Sequence, residues 1–276
     1  MSSSDPRPIG VFDSGIGGLT VVAALRRRLP ALPIVYLGDT ARLPYGNKSA
    51  ETVRRYTRRN VDFLLSQGVR GVVVACNTAS ALALDHLAAR VPVWGVIEPG
   101  AEQAAAVSDG RVGVLATRAT VASGAYERAL RSARPELAVD SRPCPLFVPL
   151  VEEGWHDDPV TEQVARRYLE PLLAWQADTL VLGCTHYPLL RPLLQRVAGD
   201  TVTLVDSAEA VAETVAGALG RESGDRVEAA AGRGSLELFV SDGESSFGGF
   251  AGRILGESEV SLRWVDVTAP GDTIER

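Results

Sequence analysis

Short runs of Val, Ile and Leu alternate along the chain with longer amphipathic stretches rich in Ala and Arg. The apolar runs predict strands over 9–13, 34–38, 71–75, 93–96, 111–116, 180–183 and 202–205. Between them, helical periodicity falls near 18–28, 49–67, 79–90, 102–107, 119–132, 159–176, 189–197 and 208–219. Strands alternating with helices imply parallel sheets joined by right-handed crossovers, an α/β fold. In such sheets ligands sit beyond the carboxyl ends of the strands, so chemistry is sought there. Pro/Gly punctuation at Glu98-Pro99-Gly100 marks a crossing into a second strand–helix series that runs to about Asp206. Residues 221–233, charged and rich in Gly and Ala, read as an exposed connection. After it, 236–240, a Gly-rich bend around 247–250, and 261–267 suggest a short final helix and a strand.

Composition narrows the class. With 46 % hydrophobic residues but only 6 % aromatic ones, Ala, Val, Leu and Gly build the core, as in parallel sheets buried on both faces. A net charge of −6 argues against nucleic acid as the main partner, because phosphate binding needs clustered cations. The run Arg26-Arg27-Arg28 reads as an exposed helix end favoured by the dipole. The polar start Met1–Pro6 has no apolar core of a signal peptide, and no apolar run is long enough to span a membrane. Three cysteines are an odd count and too few for a disulfide framework, so a reduced, cytoplasmic protein is expected.

Two of those cysteines sit in matching segments. Val72-Val73-Val74-Ala75-Cys76-Asn77-Thr78 and Leu180-Val181-Leu182-Gly183-Cys184-Thr185-His186 each read as an apolar strand, a small residue, a thiol and short polar side chains before a helix. A thiol at a helix N-terminus is suited to act as a base, nucleophile or ligand. A buried Cys is otherwise a small hydrophobe, which is the reading for Cys144 in Pro143-Cys144-Pro145. A zinc site from Cys76, Cys184 and His186 has the wrong spacing, and a Cys76–Cys184 disulfide the wrong compartment; no metal is expected.

Phe12-Asp13-Ser14-Gly15-Ile16-Gly17-Gly18 ends the first strand with a turn that lets backbone approach a ligand. A dinucleotide site is the rival reading, with Asp39 as the ribose acid, but Thr20 replaces the third glycine. Leu43-Pro44-Tyr45-Gly46-Asn47-Lys48 is a loop able to close on a small ligand, or a plain surface turn. Glu152, in Val151-Glu152-Glu153-Gly154, is a site acid or an exposed loop carboxylate. His86 and His156 read as structural or solvated; His186, two residues after Cys184, is placed to assist a thiol.

Taken in order, from about residue 7 to 210, these motifs, with Gly38-Asp39, Ala79-Ser80 and Tyr187-Pro188, resemble the glutamate racemases of the aspartate/glutamate racemase superfamily. The resemblance implies two pseudo-symmetric three-layer α/β/α domains with mainly parallel sheets and an active site in the cleft between them. It implies a discontinuous first domain, 1–98 plus 207–276, and a second over 99–206. It implies a cofactor-independent enzyme in which Cys184 takes the α-proton from L-glutamate and Cys76 from D-glutamate. Asp13 and His186 would tune the two thiols, with Glu152 a further polar group. Substrate-binding positions map onto Asp13, Ser14, Tyr45, Gly46, Asn77, Thr78, Thr185 and His186, with D-glutamate destined for peptidoglycan. A homodimer is compatible with the family. A racemase of aspartate or another amino acid, a non-catalytic amino-acid-binding protein, and an NAD-dependent oxidoreductase are the competing readings.

Overall fold

The computed structural model describes residues 5–223, 233–256, 260–267 and 274–275. The chain opens with β1 (Ile9–Asp13), α1 (Leu19–Arg28), β2 (Ile34–Gly38), α2 (Ala50–Ser66), β3 (Gly71–Val74), α3 (Asn77–Ala83) and β4 (Val93–Gly95). It continues through α4 (Ile97–Val107), β5 (Arg111–Ala116), α5 (Arg118–Ser123), α6 (Ala125–Ala133), β6 (Ala138–Pro143), α7 (Phe147–Glu152), α8 (Pro159–Ala174), β7 (Thr179–Gly183), α9 (Arg191–Ala198) and β8 (Thr203–Asp206). The last elements are α10 (Ser207–Ser223), β9 (Leu236–Val240), α11 (Glu244–Leu255), β10 (Leu262–Asp266) and β11 (Ile274–Glu275).

The strands form two sheets, one ordered β11-β10-β9-β2-β1-β3-β4 and one ordered β6-β5-β7-β8. Every pairing is parallel except β10 with β11. The first four strands lie in the order 2-1-3-4, and the next four repeat that order as 6-5-7-8. The echo between the cysteine segments is therefore an echo of topology: β3 stands beside β1 as β7 stands beside β5.

Strand side chains alternate between two cores, as a period of two requires. Ile9, Val11, Tyr36 and Val73 pack under α1, α10 and α11 with Leu25, Val215 and Phe247. Phe12, Leu37, Val74 and Cys76 face the other way, against Phe63 and Leu64 of α2 and Ala79 of α3. The second sheet repeats the layering. Val114 and Val181 meet Ala104, Tyr126 and Leu130 of α4 and α6, while Leu180, Leu182 and Cys184 meet α7, α8 and α9 through Phe147, Leu169 and Leu193. Helices on both faces of both sheets give the expected two-domain α/β fold. Among the described residues, no helix is long and apolar enough to cross a membrane.

The structure departs from the sequence reading in a few elements. β6 is absent from the predicted strands because it is a half-exposed edge carrying Asp140, Arg142 and Pro143. The punctuation at Glu98-Pro99-Gly100 lies inside the first turn of α4, where a proline's missing N–H costs nothing. The Gly-rich bend is the twelve-residue α11, held by Phe247 and Ala251 in the core, and β9 and β10 extend the first sheet. Of the tail at 1–6 and the connection at 221–233, residues 1–4 and 224–232 lie outside the described residues.

Candidate active site

Four strand ends meet over one cavity of about 350 Å³. β1 delivers Asp13 and Ser14, and β3 delivers Cys76 as the N-cap of α3. Facing them, β5 delivers Thr117, the N-cap of α5, and β7 delivers Cys184, Thr185 and His186. Each motif follows a strand whose carboxyl-terminal half is wholly buried, so its residues are fixed in space before any loop begins.

Both sulfurs open onto the cavity, one from each domain. Cys76 is 5 % exposed and its Sγ lies 3.6 Å from the Ser14 hydroxyl. Burial pushes this thiol up to about 12, and the Asp13 carboxylate adds to the effect. Cys184 is 7 % exposed, and His186 Nδ1 stands 3.9 Å from its sulfur. The other ring nitrogen, Nε2, meets Glu152 Oε1 at 3.2 Å. Burial alone would lower the imidazole pKa, but its bonds to Cys184 and Glu152 outweigh that and raise it to about 10. His186 is thus buried between a sulfur and a carboxylate, and both favour its protonated form. Glu152 ends α7 and is half-buried, so it is not a free loop carboxylate.

Asp13 is wholly buried behind the cavity wall. Its Oδ2 accepts from the Gly15 amide at 2.9 Å and its Oδ1 from the Thr185 hydroxyl of the opposite domain at 3.2 Å. Burial raises its pKa, against the pull of His186. The Asp13 carboxylate disfavours a second negative charge on Cys76 beside it.

The wall between the thiols carries hydroxyls and an amide beside His186 and Glu152, and among the described residues no Arg or Lys lines it. Asn77 Nδ2 donates to Tyr126 Oη at 2.8 Å and to Ser207 Oγ at 3.3 Å, which leaves its carbonyl oxygen and the start of α3 for a ligand. Thr78, Thr117 and Thr120 close a ring of hydroxyls, each pair 3.0–3.2 Å apart, across the two domains. Tyr45 contributes its ring and backbone, because its hydroxyl is turned to Asp39 and Asn60. Gly46 presses on Thr117, and a Cβ there would stand 2.6 Å from the Thr117 Cβ. The turn at 45–47, the start of α3 and the N-cap of α5 all border the cavity.

Every residue expected to act on or bind the substrate is brought to this place, with Asp13 one layer behind it. Thr117 and Val148 also line the cavity and were missed. Thr117 had a signal, since it follows the predicted strand 111–116; Val148 had none. Cys144 lies apart, fully buried with its carbonyl accepting from Tyr187. His86 is exposed and His156 packs against Phe250. Asp39 has no place for a ribose: its carboxylate is wholly buried and bonded to Arg42, Tyr45, Asn60 and Ser241.

Two buried thiols, one from each sheet, face one cavity lined by hydroxyls, an imidazole and a carboxylate. Residues 12–215 match the model of the Asp/Glu/hydantoin racemase family, and the chain belongs to that family. A glutamate racemase of Geobacter metallireducens is 49 % identical over 253 residues, covering 91 % of this chain and 93 % of its own. The crystal structure of a glutamate racemase isoform from Bacillus anthracis superposes with a TM-score of 0.89 at 39 % identity, covering 94 % of this chain and 97 % of that one. The glutamate racemase from Francisella tularensis, solved in complex with D-glutamate, gives 0.87 at 34 % identity, covering 95 % and 98 %.

Proposed function

We propose that this racemase interconverts L- and D-glutamate with Cys76 and Cys184 as paired acid and base, using no cofactor, and so provides D-glutamate for peptidoglycan. One observation carries the reading: two buried thiols end equivalent strands of two like-ordered sheets and open onto one cavity from opposite domains. Inversion at an α-carbon needs a proton removed from one face and another supplied to the other. Cys184 as thiolate takes the α-proton of L-glutamate while the Cys76 thiol protonates the opposite face. The cycle ends with Cys184 as thiol and Cys76 as thiolate, the state that starts from D-glutamate.

The partners differ to match. The His186 cation, 3.9 Å from Cys184, stabilises negative charge on that sulfur, and Glu152 holds the imidazole in place. Asp13 serves Cys76 before D-glutamate is turned over: one proton passes from the Cys76 thiol to the Asp13 carboxylate, so the thiolate that forms faces a neutral carboxyl. The carbanionic charge that develops at the α-carbon is met by oriented donors in a site shielded from water. The hydroxyls of Ser14, Thr78 and Thr117 and the backbone amides of Tyr45, Gly46, Asn77 and Thr185 receive the two carboxylates. The domains divide as 1–98 plus 207–276 and 99–206, so that each thiol belongs to its own domain.

The test is incubation with L-glutamate in deuterated water without added cofactor. Loss of optical rotation together with solvent deuterium at the α-carbon is expected. A folded, reduced protein that exchanges no α-proton of glutamate would refute the assignment, and exchange with aspartate alone would transfer it to that substrate.

A further inference from the structure

Behind the Leu43–Gly46 wall of the cavity lies a buried polar cluster that the acid–base chemistry does not use. Its centre is Asp39, with no exposed surface. Arg42 Nε donates to Asp39 Oδ1 at 2.9 Å and its Nη2 lies 2.8 Å from Oδ2. Asn60 of α2 donates to Asp39 Oδ2 at 3.3 Å and to the Tyr45 hydroxyl at 3.0 Å, and accepts from Arg42 at 2.8 Å. Tyr45 donates its own hydroxyl to Asp39. Ser241, just beyond β9, donates to Asp39 Oδ1 at 3.2 Å and accepts from the Ala41 amide at 2.9 Å. The Arg42 guanidinium is capped by the Tyr56 ring, 4.3 Å from its centroid.

Burying an ion pair is costly, and an apolar cluster of the same volume is often as stable. What the charges add here is direction. Four side chains, from the turn after β2, from α2 and from the segment after β9, converge on one carboxylate, and one of them, Tyr45, is also the cavity wall. A hydroxyl bonded to a buried carboxylate is held more firmly than one bonded to a neutral acceptor. Asp39 also gives its amide to the Asp13 carbonyl at 3.0 Å, so the cluster and the Cys76 side of the site share a backbone.

We propose that Asp39, with Arg42 and Asn60, is the positioning centre for the Tyr45–Gly46 wall, and that Ser241 brings the C-terminal strands into the assembly of the site. The residues act through the wall and touch no substrate. The assignment rests on the racemase reading of the cavity.

The experiment is steady-state racemisation of L- and D-glutamate by the wild type, Tyr45→Phe, Ser241→Ala and Ser241→Thr, well below the Tm of each. Tyr45→Phe keeps the ring and loses the tether; its KM should rise about tenfold in both directions, about 1.4 kcal/mol of binding, with kcat within about twofold. Ser241→Ala should move KM the same way by a smaller factor, and Ser241→Thr, which keeps the hydroxyl, should restore it. A folded but less stable Tyr45→Phe with unchanged KM would reduce the cluster to a structural support and overturn the proposal. So would a fall in kcat at constant KM. Failure of Ser241→Thr to restore KM would remove Ser241 from it. A wild type that turns over no glutamate would sink the racemase reading, and this assignment with it.

Discussion

Gly17 is where the first domain's turn meets the residues beside Cys184, and replacing it with alanine tests the closed geometry of the site. A Cβ built at Gly17 stands 2.4 Å from Thr185 Oγ1 and 2.6 Å from His186 Nδ1, where ordinary contact begins at 3.4 Å. The turn or the Thr185–His186 pair must therefore shift by 3.4 − 2.4, about 1 Å. Nδ1 is the atom that faces the Cys184 sulfur, and Thr185 is the residue that bonds Asp13 across the cleft. A misplacement of that size costs about 10²-fold in rate, or ~2.7 kcal/mol of barrier. Overpacking would also lower stability by about 1–3 kcal/mol. The assay is polarimetric racemisation in both directions, with a thermal melt to establish folding. Because L- and D-glutamate are equally stable in water, kcat/KM must fall equally for both, whichever thiol is disturbed. A folded Gly17→Ala enzyme within twofold of wild-type kcat/KM would refute the closed contact between Gly17 and His186. Gly217→Ala on α10 is the control: nothing lies within 4 Å of the added Cβ, so turnover should hold while stability rises by up to ~1 kcal/mol.

Other outcomes follow from the same site. Cys76→Ala and Cys184→Ala should each abolish racemisation with the melt preserved, and full activity in either would end the two-thiol mechanism. Cys144→Ala should keep turnover and lose about 1 kcal/mol of stability in a denaturant titration, because only a small buried group is removed. The His186 pKa is raised from 6.5 to about 10 in the folded state, so its proton stabilises the fold fully below pH 6.5, and that contribution is lost as pH rises through about 10. Tm measured between pH 6 and 10.5 should fall on the alkaline side in the wild type and be flatter there in His186→Gln (the range brackets ordinary and raised values, roughly).

The sequence made the fold legible where strands are buried on both faces. In β1, β2, β3 and β7 every residue is inside, and all but the terminal Asp13 and Thr179 are hydrophobic or glycine, so the run itself marks the strand. β6 escaped because an edge strand with one half-exposed face has no such run. The chemistry was legible for a related reason: Asp13, Cys76 and Cys184 fall at the ends of strands the pattern had already located. What could not be read was who partners whom. That Tyr45 gives its hydroxyl to Asp39 and not to the cavity, and that Asn77 spends its amide on Tyr126 and Ser207, depend on side chains 6 to 130 positions apart. Glu152 was ambiguous for the same reason, since its partner His186 lies 34 residues on.

The repeated strand order and the unlike thiol partners fit together in the proposed reaction. Two like-ordered sheets facing each other bring equivalent strand ends to opposite sides of one molecule, which is the geometry inversion requires. Equivalent position does not entail equivalent surroundings, because the substrate between the thiols is not symmetric. Beside Cys184 the chain holds a cation buttressed by a carboxylate; beside Cys76 it holds a carboxyl group that burial keeps ready to take a proton. Each arrangement lets its sulfur carry negative charge, the first by attraction and the second by surrendering a competing charge. The two solutions are not interchangeable. Loss of the His186 proton at high pH removes the first, whereas holding Asp13 ionised would remove the second. An Asp13→Asn variant, neutral at every pH, should therefore shift the limb of the pH–rate profile that reports Cys76 toward lower pH, while the limb through about 10 that belongs to His186 stays. If both limbs moved together, the thiols would be titrating as one unit and the division of labour between the two domains would have to be abandoned.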